Sequence, residues 1–310
     1  MGIILNAYKK NLLGRFDKDE AVPYYSYKDF PGLQYEEKTF LNSINVMVSY
    51  FYYYREGFIG DKIVIFLPGI GPGHTAYLKE INELTLMGYK VLTLDYTGCG
   101  ASKGEALGSL NHPTRDVNDL LMYLDMKEEI MLVGHSLGAY TALNVINEHD
   151  EIKTAVIISG FVSLYNQIKF IVKLSPFAWR LCRYEKKAEP DYYNIDNFSY
   201  LSSTKDRLLF IHSKDDNVVG YKSSTAIVES LNNKNIKFLI VDKKRHNPTY
   251  TTDAVKYMTD TFSEYSKLIK NKNLDTLPKR KYFLSQKSID KMTEMDKNVI
   301  SEIEYFLKNY

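Results

Sequence analysis

One pentapeptide constrains this chain more than any other stretch. Residues Gly134-His135-Ser136-Leu137-Gly138 spell G-x-S-x-G. The apolar run Glu129–Val133 before them reads as a buried strand, and Ala139–Ile146 after them reads as a helix. A serine held between a strand and a helix sits on a sharp, strained turn. Side chains at the two glycine positions would collide with the neighbouring strand and helix.

The pattern around this turn alternates. Lys62–Leu67, Lys90–Leu94, Ile130–Val133, Thr154–Ser159, Arg207–His212 and Ile236–Val241 read as strands. Thr75–Met87, Pro113–Met126, Ala139–Glu148 and Lys222–Asn232 read as the helices between them. Strands alternating with helices imply a mostly parallel twisted sheet covered by helices on both faces, an α/β class. The continuous apolar runs Ile63–Leu67 and Ala155–Ile158 suit strands buried on both sides. Two further strands, Lys38–Asn42 and Val46–Tyr54, suit an antiparallel edge, the second favoured by its aromatic and β-branched content.

Between Phe161 and Asp206 the rhythm breaks. That stretch is too long for a plain connection and carries apolar helical material, Leu164–Leu174 and Phe177–Cys182. It reads as an inserted helical cap. The expected organisation is an N-terminal extension at 1–30, a core at 31–160 and 207–270, a cap at 161–206, and a C-terminal linker and helix at 271–310. Within the last part, Asn271–Lys281 reads as a lysine-rich linker and Ser288–Leu307 as one helix, after a helix over Tyr250–Ile269.

Bulk properties exclude several classes. With 40 basic and 38 acidic residues among 310, no field for nucleic acid is implied. Two cysteines, Cys99 and Cys182, read as free thiols rather than a disulfide framework. The first residues lack a signal-peptide pattern, and Asn6 breaks the myristoylation pattern. No apolar run reaches the roughly 18 residues of a membrane helix. A cytoplasmic location is expected, and the oligomeric state is open. H-E-x-x-H, paired C-x-x-C and phosphate-binding G-x-x-x-x-G-K-[ST] patterns are absent, so no metal or cofactor is implied.

These residues together resemble an α/β-hydrolase of the serine aminopeptidase/monoacylglycerol-lipase-like group, over roughly Lys38 to Tyr250. The resemblance implies a nucleophile, an acid and a histidine in that chain order. Ser136 takes the first role. His212-Ser-Lys-Asp-Asp-Asn-Val-Val219 is similar to the group's H-G-x-x-D-x-x-V turn, which assigns Asp216 as the acid, with Asp215 as its rival. His246 is the only histidine after Asp216 and follows the last strand, so it is the expected base. A serine hydroxyl is a weak nucleophile at neutral pH. The base takes its proton, and the acid holds the base in the right tautomer.

The oxyanion donors are expected to be the backbone N–H of Leu137 and, from Leu67-Pro-Gly-Ile-Gly-Pro-Gly-His74, that of Ile70. That loop resembles H-G-x-G with Pro68 in the histidine's place, which raises the question of how it is braced. Asp95-Tyr-Thr-Gly-Cys-Gly-Ala-Ser102 is similar to D-x-R-G-x-G-x-S with Thr97 for arginine, and Asp95 reads as a structural turn carboxylate. His135 is expected in packing, and His212 in ordering the acid turn. Phe161, Phe170 and Trp179 are the candidates for a substrate pocket.

The expected activity is hydrolysis of a carboxylic ester with a small or medium apolar acyl group through an acyl-enzyme. A serine peptidase or an acyltransferase would use the same residues. A peptidase needs an acidic anchor for an ammonium group, and Glu185, Glu189, Asp191 and Asp196 are the cap's candidates. A non-catalytic hydrolase-fold binding protein is the remaining alternative.

Overall fold

Alternate residues of the central strands belong to two different apolar layers, which is why these segments pair only as a fully covered sheet. Ile63, Ile65, Leu67, Leu132, Ile157 and Phe210 pack into one hydrophobic cluster. Val64, Phe66, Val133, Ile158 and Ile211 pack into the other. The description rests on a computed structural model that covers residues 2–58, 60 and 62–309; Met1, Ile59, Asp61 and Tyr310 lie outside it.

The strands are β1 (Leu33–Leu41), β2 (Met47–Arg55), β3 (Lys62–Leu67), β4 (Lys90–Leu94), β5 (Glu129–His135), β6 (Thr154–Ile158), β7 (Arg207–Ser213) and β8 (Ile236–Val241). They form one sheet in the order β1-β2-β4-β3-β5-β6-β7-β8. β1 and β2 are antiparallel to their neighbours, and every other pairing is parallel. The helices are α1 (Gly2–Leu12), α2 (Leu78–Leu86), α3 (His112–Leu124), α4 (Leu137–Glu148), α5 (Leu164–Val172), α6 (Ser175–Ala188), α7 (Pro190–Tyr193), α8 (Asn197–Ser203), α9 (Thr225–Glu229), α10 (Thr252–Lys270), α11 (Leu277–Ser285), α12 (Ile289–Met292) and α13 (Lys297–Lys308). Among the described residues none is long and apolar enough to cross a bilayer. This is the mostly parallel, helix-covered α/β sheet that the alternation implied, with the order expected from the α/β-hydrolase resemblance.

α1, α3, α4 and the helices α5 to α8 cover one face of the sheet, and α2 and α13 cover the other. The stretch expected as a cap thus holds four helices between β6 and β7. Leu164, Ile168, Ala178, Leu181 and Leu201 share the cluster beneath them with the sheet.

The tail departs from expectation. The segment read as a linker contains the start of α11, whose Leu284 is buried with Ala21 and Tyr265. The single helix expected over Ser288–Leu307 is two, α12 and α13. The chain breaks because Met295 forms an isolated bridge with Tyr250. Thr251 N donates to Glu294 O at 2.9 Å, and Asp296 N donates to Thr249 O at 2.8 Å. The Asp296 carboxylate then caps α13 by accepting from the N–H groups of Asn298 and Val299. The tail therefore clasps the loop that follows His246.

Glu80 of α2 is buried against the same loop, with Thr249 Oγ1 at 3.5 Å. Burial pushes its carboxyl up to about 7, with hydrogen bonds from Tyr250 and Thr249 opposing. The raised value makes its contribution to stability complete below the unfolded value of 4.5 and lost as pH rises through 7. Unfolding free energy should therefore drop by roughly 3 kcal/mol between pH 5 and pH 8 on this account. Glu80→Gln keeps the shape of the neutral acid. Its melting temperature should match wild type at pH 5 and exceed it by several degrees at pH 8. An equal difference at both pH values would refute the assignment.

Candidate active site

The serine turn is built as its glycines require. A Cβ on Gly134 would lie 2.3 Å from the Gly138 carbonyl oxygen, and one on Gly138 would lie 2.0 Å from that of Leu67. Only glycine lets α4 begin against β5 and against the end of β3. Ser136 itself adopts φ 57° and ψ −117°. A non-glycine residue held there costs on the order of 1–3 kcal/mol, a strain the surrounding packing must over-determine. Its N–H donates to Ile158 O at 2.9 Å, which pins the turn to β6.

Asp216 lies in the loop after β7, its side chain fully buried. Its Oδ1 accepts from the N–H groups of Val218 and Val219 at 2.8 and 3.0 Å. Its Oδ2 accepts from His246 Nδ1 at 2.8 Å and lies 3.3 Å from His212 Nε2. Burial alone would raise this carboxyl. Hydrogen bonds from His212, His246 and Val219, with the charge of His246, outweigh it and hold the group well below the usual carboxylate range. An ionised Asp216 requires the proton on His246 Nδ1 and leaves Nε2 as the bare nitrogen. Neither His246 Nε2 nor the Ser136 hydroxyl makes a hydrogen bond among the described residues.

The rival carboxylate does something else. Asp215 Oδ1 accepts from Ser213 Oγ at 2.5 Å and from Arg245 N at 3.1 Å. It ties the end of β7 to the loop that carries His246. His212 orders the acid turn, donating from Nε2 to Val219 O at 2.9 Å, with Thr225 Oγ1 2.7 Å from Nδ1.

His135 Nε2 lies 2.8 Å from the main-chain oxygen of His246, and the two rings are 4.8 Å apart. That contact brings the serine turn and the His246 loop together. Asp95 is a turn carboxylate: Oδ1 accepts from the N and Nδ1 of His74, and Oδ2 from Ala101 N, each at 2.8 Å. Cys99 is buried and its thiol pushed up to about 12, chiefly by desolvation, so it is inert.

A cavity of about 580 Å³ opens over Ser136. Its walls include Ile70, Leu137, Phe161 and Phe170, with Leu12 from α1 and Leu110 from the loop before α3. Among the described residues no aspartate or glutamate lines it, and the one charged residue there is Lys173. The N–H groups of Leu137 and Ile70 have no acceptor among the described residues. Phe161 and Phe170 line this cavity. Trp179 does not: it is 55% exposed, with the Arg183 guanidinium over its ring at 4.9 Å. The reason is helical phase. α6 buries Ala178, Leu181, Cys182 and Glu185, and residue 179 points off that stripe. Leu12 and Leu110 were invisible to sequence reasoning, since nothing local marks a residue of an N-terminal helix as part of a site opened by α4.

Three of the cap's four candidate acidic residues are engaged elsewhere, and the fourth is exposed on a helix away from the cavity lining. Glu185 is fully buried and accepts from Tyr8 Oη at 2.6 Å, Ser109 Oγ at 2.5 Å and Leu110 N at 2.9 Å. Glu189 pairs with Arg115 at 2.7 Å. Asp196 caps α8, and Asp191 is exposed on α7.

Sheet order, serine turn and buried histidine–carboxylate pair define the class, an α/β-hydrolase. Within that class, residues 60–206 match the family model described as serine aminopeptidase, S33. Among curated relatives, a probable esterase of Oryza sativa subsp. indica is 29% identical over 33% of this chain and 40% of its own length. A lysophosphatidylserine lipase of Xenopus tropicalis is 25% identical over 78% of this chain and 64% of its own. Both matches span less than two thirds of the relative. Among solved structures, an esterase of Pyrococcus furiosus superposes with a TM-score of 0.57 at 21% identity, covering 83% of this chain and 96% of that one. The chain thus has the α/β-hydrolase fold and over residues 60–206 is similar to the serine aminopeptidase family.

Proposed function

We propose that the protein is a serine hydrolase of carboxylic esters with a small or medium apolar acyl group. The observation that carries this reading is a cavity over Ser136 with no carboxylate among its described lining residues, together with His246, whose Nδ1 is bonded to a buried carboxylate and whose main-chain oxygen is bonded to His135, the neighbour of Ser136. Ser136 Oγ attacks the ester carbonyl carbon while its proton passes to His246 Nε2. The oxyanion is met by the N–H groups of Leu137 and Ile70. Collapse breaks the carbon–oxygen bond, and the alcohol leaves with the proton from Nε2. Water then attacks the acyl-enzyme and gives its proton to the same nitrogen. The second collapse releases the acid and returns the proton to Ser136. Asp216 keeps the imidazole in its tautomer and stabilises the imidazolium at both steps.

That none of Glu185, Glu189, Asp191 and Asp196 lines the cavity favours esters over aminopeptidase substrates. An α-ammonium brought into the cavity would lose water without gaining a counter-charge, a cost of several kcal/mol. A panel of p-nitrophenyl esters and aminoacyl p-nitroanilides checks this. Butyrate to octanoate esters should exceed leucyl and alanyl anilides in kcat/KM by about 100-fold or more. Anilides cleaved as fast as esters would make the peptidase reading the better one.

A further inference from the structure

The loop that carries Ile70 lacks the histidine usual at position 68, yet it is held from two sides. Tyr96 Oη donates to Pro68 O at 3.0 Å. On the other side, Gly69 N donates to Tyr77 Oη at 3.1 Å. Tyr77 Oη in turn lies 3.0 Å from His135 Nδ1, and His135 Nε2 lies 2.8 Å from the main-chain oxygen of His246.

The direction of every bond in this chain is determined. A carbonyl oxygen can only accept, so His135 Nε2 carries a proton. Burial, and then the neighbouring His246 charge, push the His135 imidazole down to about 3, so it holds only that one proton at neutral pH. Nδ1 is therefore an acceptor and takes the Tyr77 O–H. The tyrosine oxygen is left to accept from Gly69. Burial raises the Tyr77 hydroxyl, so it stays protonated. A single polar thread runs from the Gly69 amide through Tyr77 and His135 to the His246 carbonyl. Its links join residues 8, 58 and 111 positions apart in sequence.

We propose that Tyr77 and His135 are positioning residues which lock the Ile70 oxyanion loop and the His246 loop to one another across the serine turn. Neither touches the reacting atoms. Tyr77 holds the Pro68–Gly69 peptide, immediately before the one that presents the Ile70 N–H, and His135 sets the backbone from which the base projects. In this role His135 is a donor and an acceptor at fixed separation, not an acid or a base. Glutamine offers the same pair, an amide N–H for the His246 carbonyl and an amide oxygen for the Tyr77 hydroxyl. Leucine offers neither.

The inference rests on the serine-hydrolase reading, and its test separates the two. Tyr77→Phe, His135→Leu and His135→Gln are assayed on a p-nitrophenyl ester, with fluorophosphonate labelling of wild type alongside. The full loss of one oxyanion donor costs about 10²–10³-fold in kcat; a misplaced donor should cost about 10- to 100-fold. Tyr77→Phe and His135→Leu should each lose that much kcat with KM within threefold. His135→Gln should stay within threefold of wild type. Tyr77→Phe/His135→Leu together should fall no further than the worse single variant, because both cut one thread. Independently of activity, the ¹⁵N resonance of His135 Nδ1 should report an unprotonated nitrogen at pH 7 and shift in Tyr77→Phe. The proposal is overturned if Tyr77→Phe keeps kcat within twofold, if His135→Gln is as impaired as His135→Leu, or if the ¹⁵N resonance does not move. Absence of labelling and turnover in folded wild type would overturn the hydrolase reading and the proposal with it. A moved resonance with no turnover in wild type would instead assign the thread a structural role only.

Discussion

Ser136→Ala should abolish ester turnover and fluorophosphonate labelling while leaving the fold intact. In a serine–histidine–aspartate site the loss of the nucleophile costs about 10⁶-fold in kcat, with only oxyanion stabilisation and binding left. The substitution removes one oxygen from a turn whose geometry is held by the Ser136 N–H bond to Ile158 and by the approach of Gly138 to Leu67. Its melting temperature should therefore sit within about two degrees of wild type. Turnover above a tenth of wild type, or labelling of another residue, would remove Ser136 from the nucleophile's role.

Asp216→Asn should be the second largest effect, a fall of about 10⁴-fold in kcat. The amide cannot hold the proton on His246 Nδ1; an amide N–H directed at that nitrogen turns the imidazole into the wrong tautomer. The same variant leaves His212 Nε2 facing an uncharged group at 3.3 Å. Asp215→Asn is the control that gives the comparison its meaning. Asp215 holds Ser213 and Arg245 rather than the imidazole, so its loss should lower kcat by less than about tenfold. Steady-state kinetics on one ester decide the matter. Equal losses in the two variants would mean that the neighbouring carboxylates share the role.

Much of this architecture was legible locally. β3 and β4 fall on the residues their apolar runs predicted, because strands buried in the sheet carry a continuous hydrophobic signal. Resemblance to a turn motif singled out Asp216 over Asp215, and chain order singled out His246. The tail was misread because lysines hide α11, and because the break between α12 and α13 is made by Thr249, Tyr250 and Thr251 from elsewhere in the chain. Trp179 was misplaced because an aromatic residue in a cap has no local mark of which side of its helix meets the cavity.

By itself the sequence determined the strained serine turn, the strand–helix alternation and the order of the three chemical groups. Each depends on neighbours a few residues away, where periodicity and glycine placement act. Only the tertiary structure decided which carboxylates of the cap are consumed, which apolar residues line the cavity, and how a loop without its usual histidine is braced. Those outcomes rest on hydrogen bonds and contacts between segments distant in the chain, such as Tyr8 with Glu185 and Tyr77 with His135. Such pairs leave no periodic trace, since each exists only once the sheet has set its elements side by side.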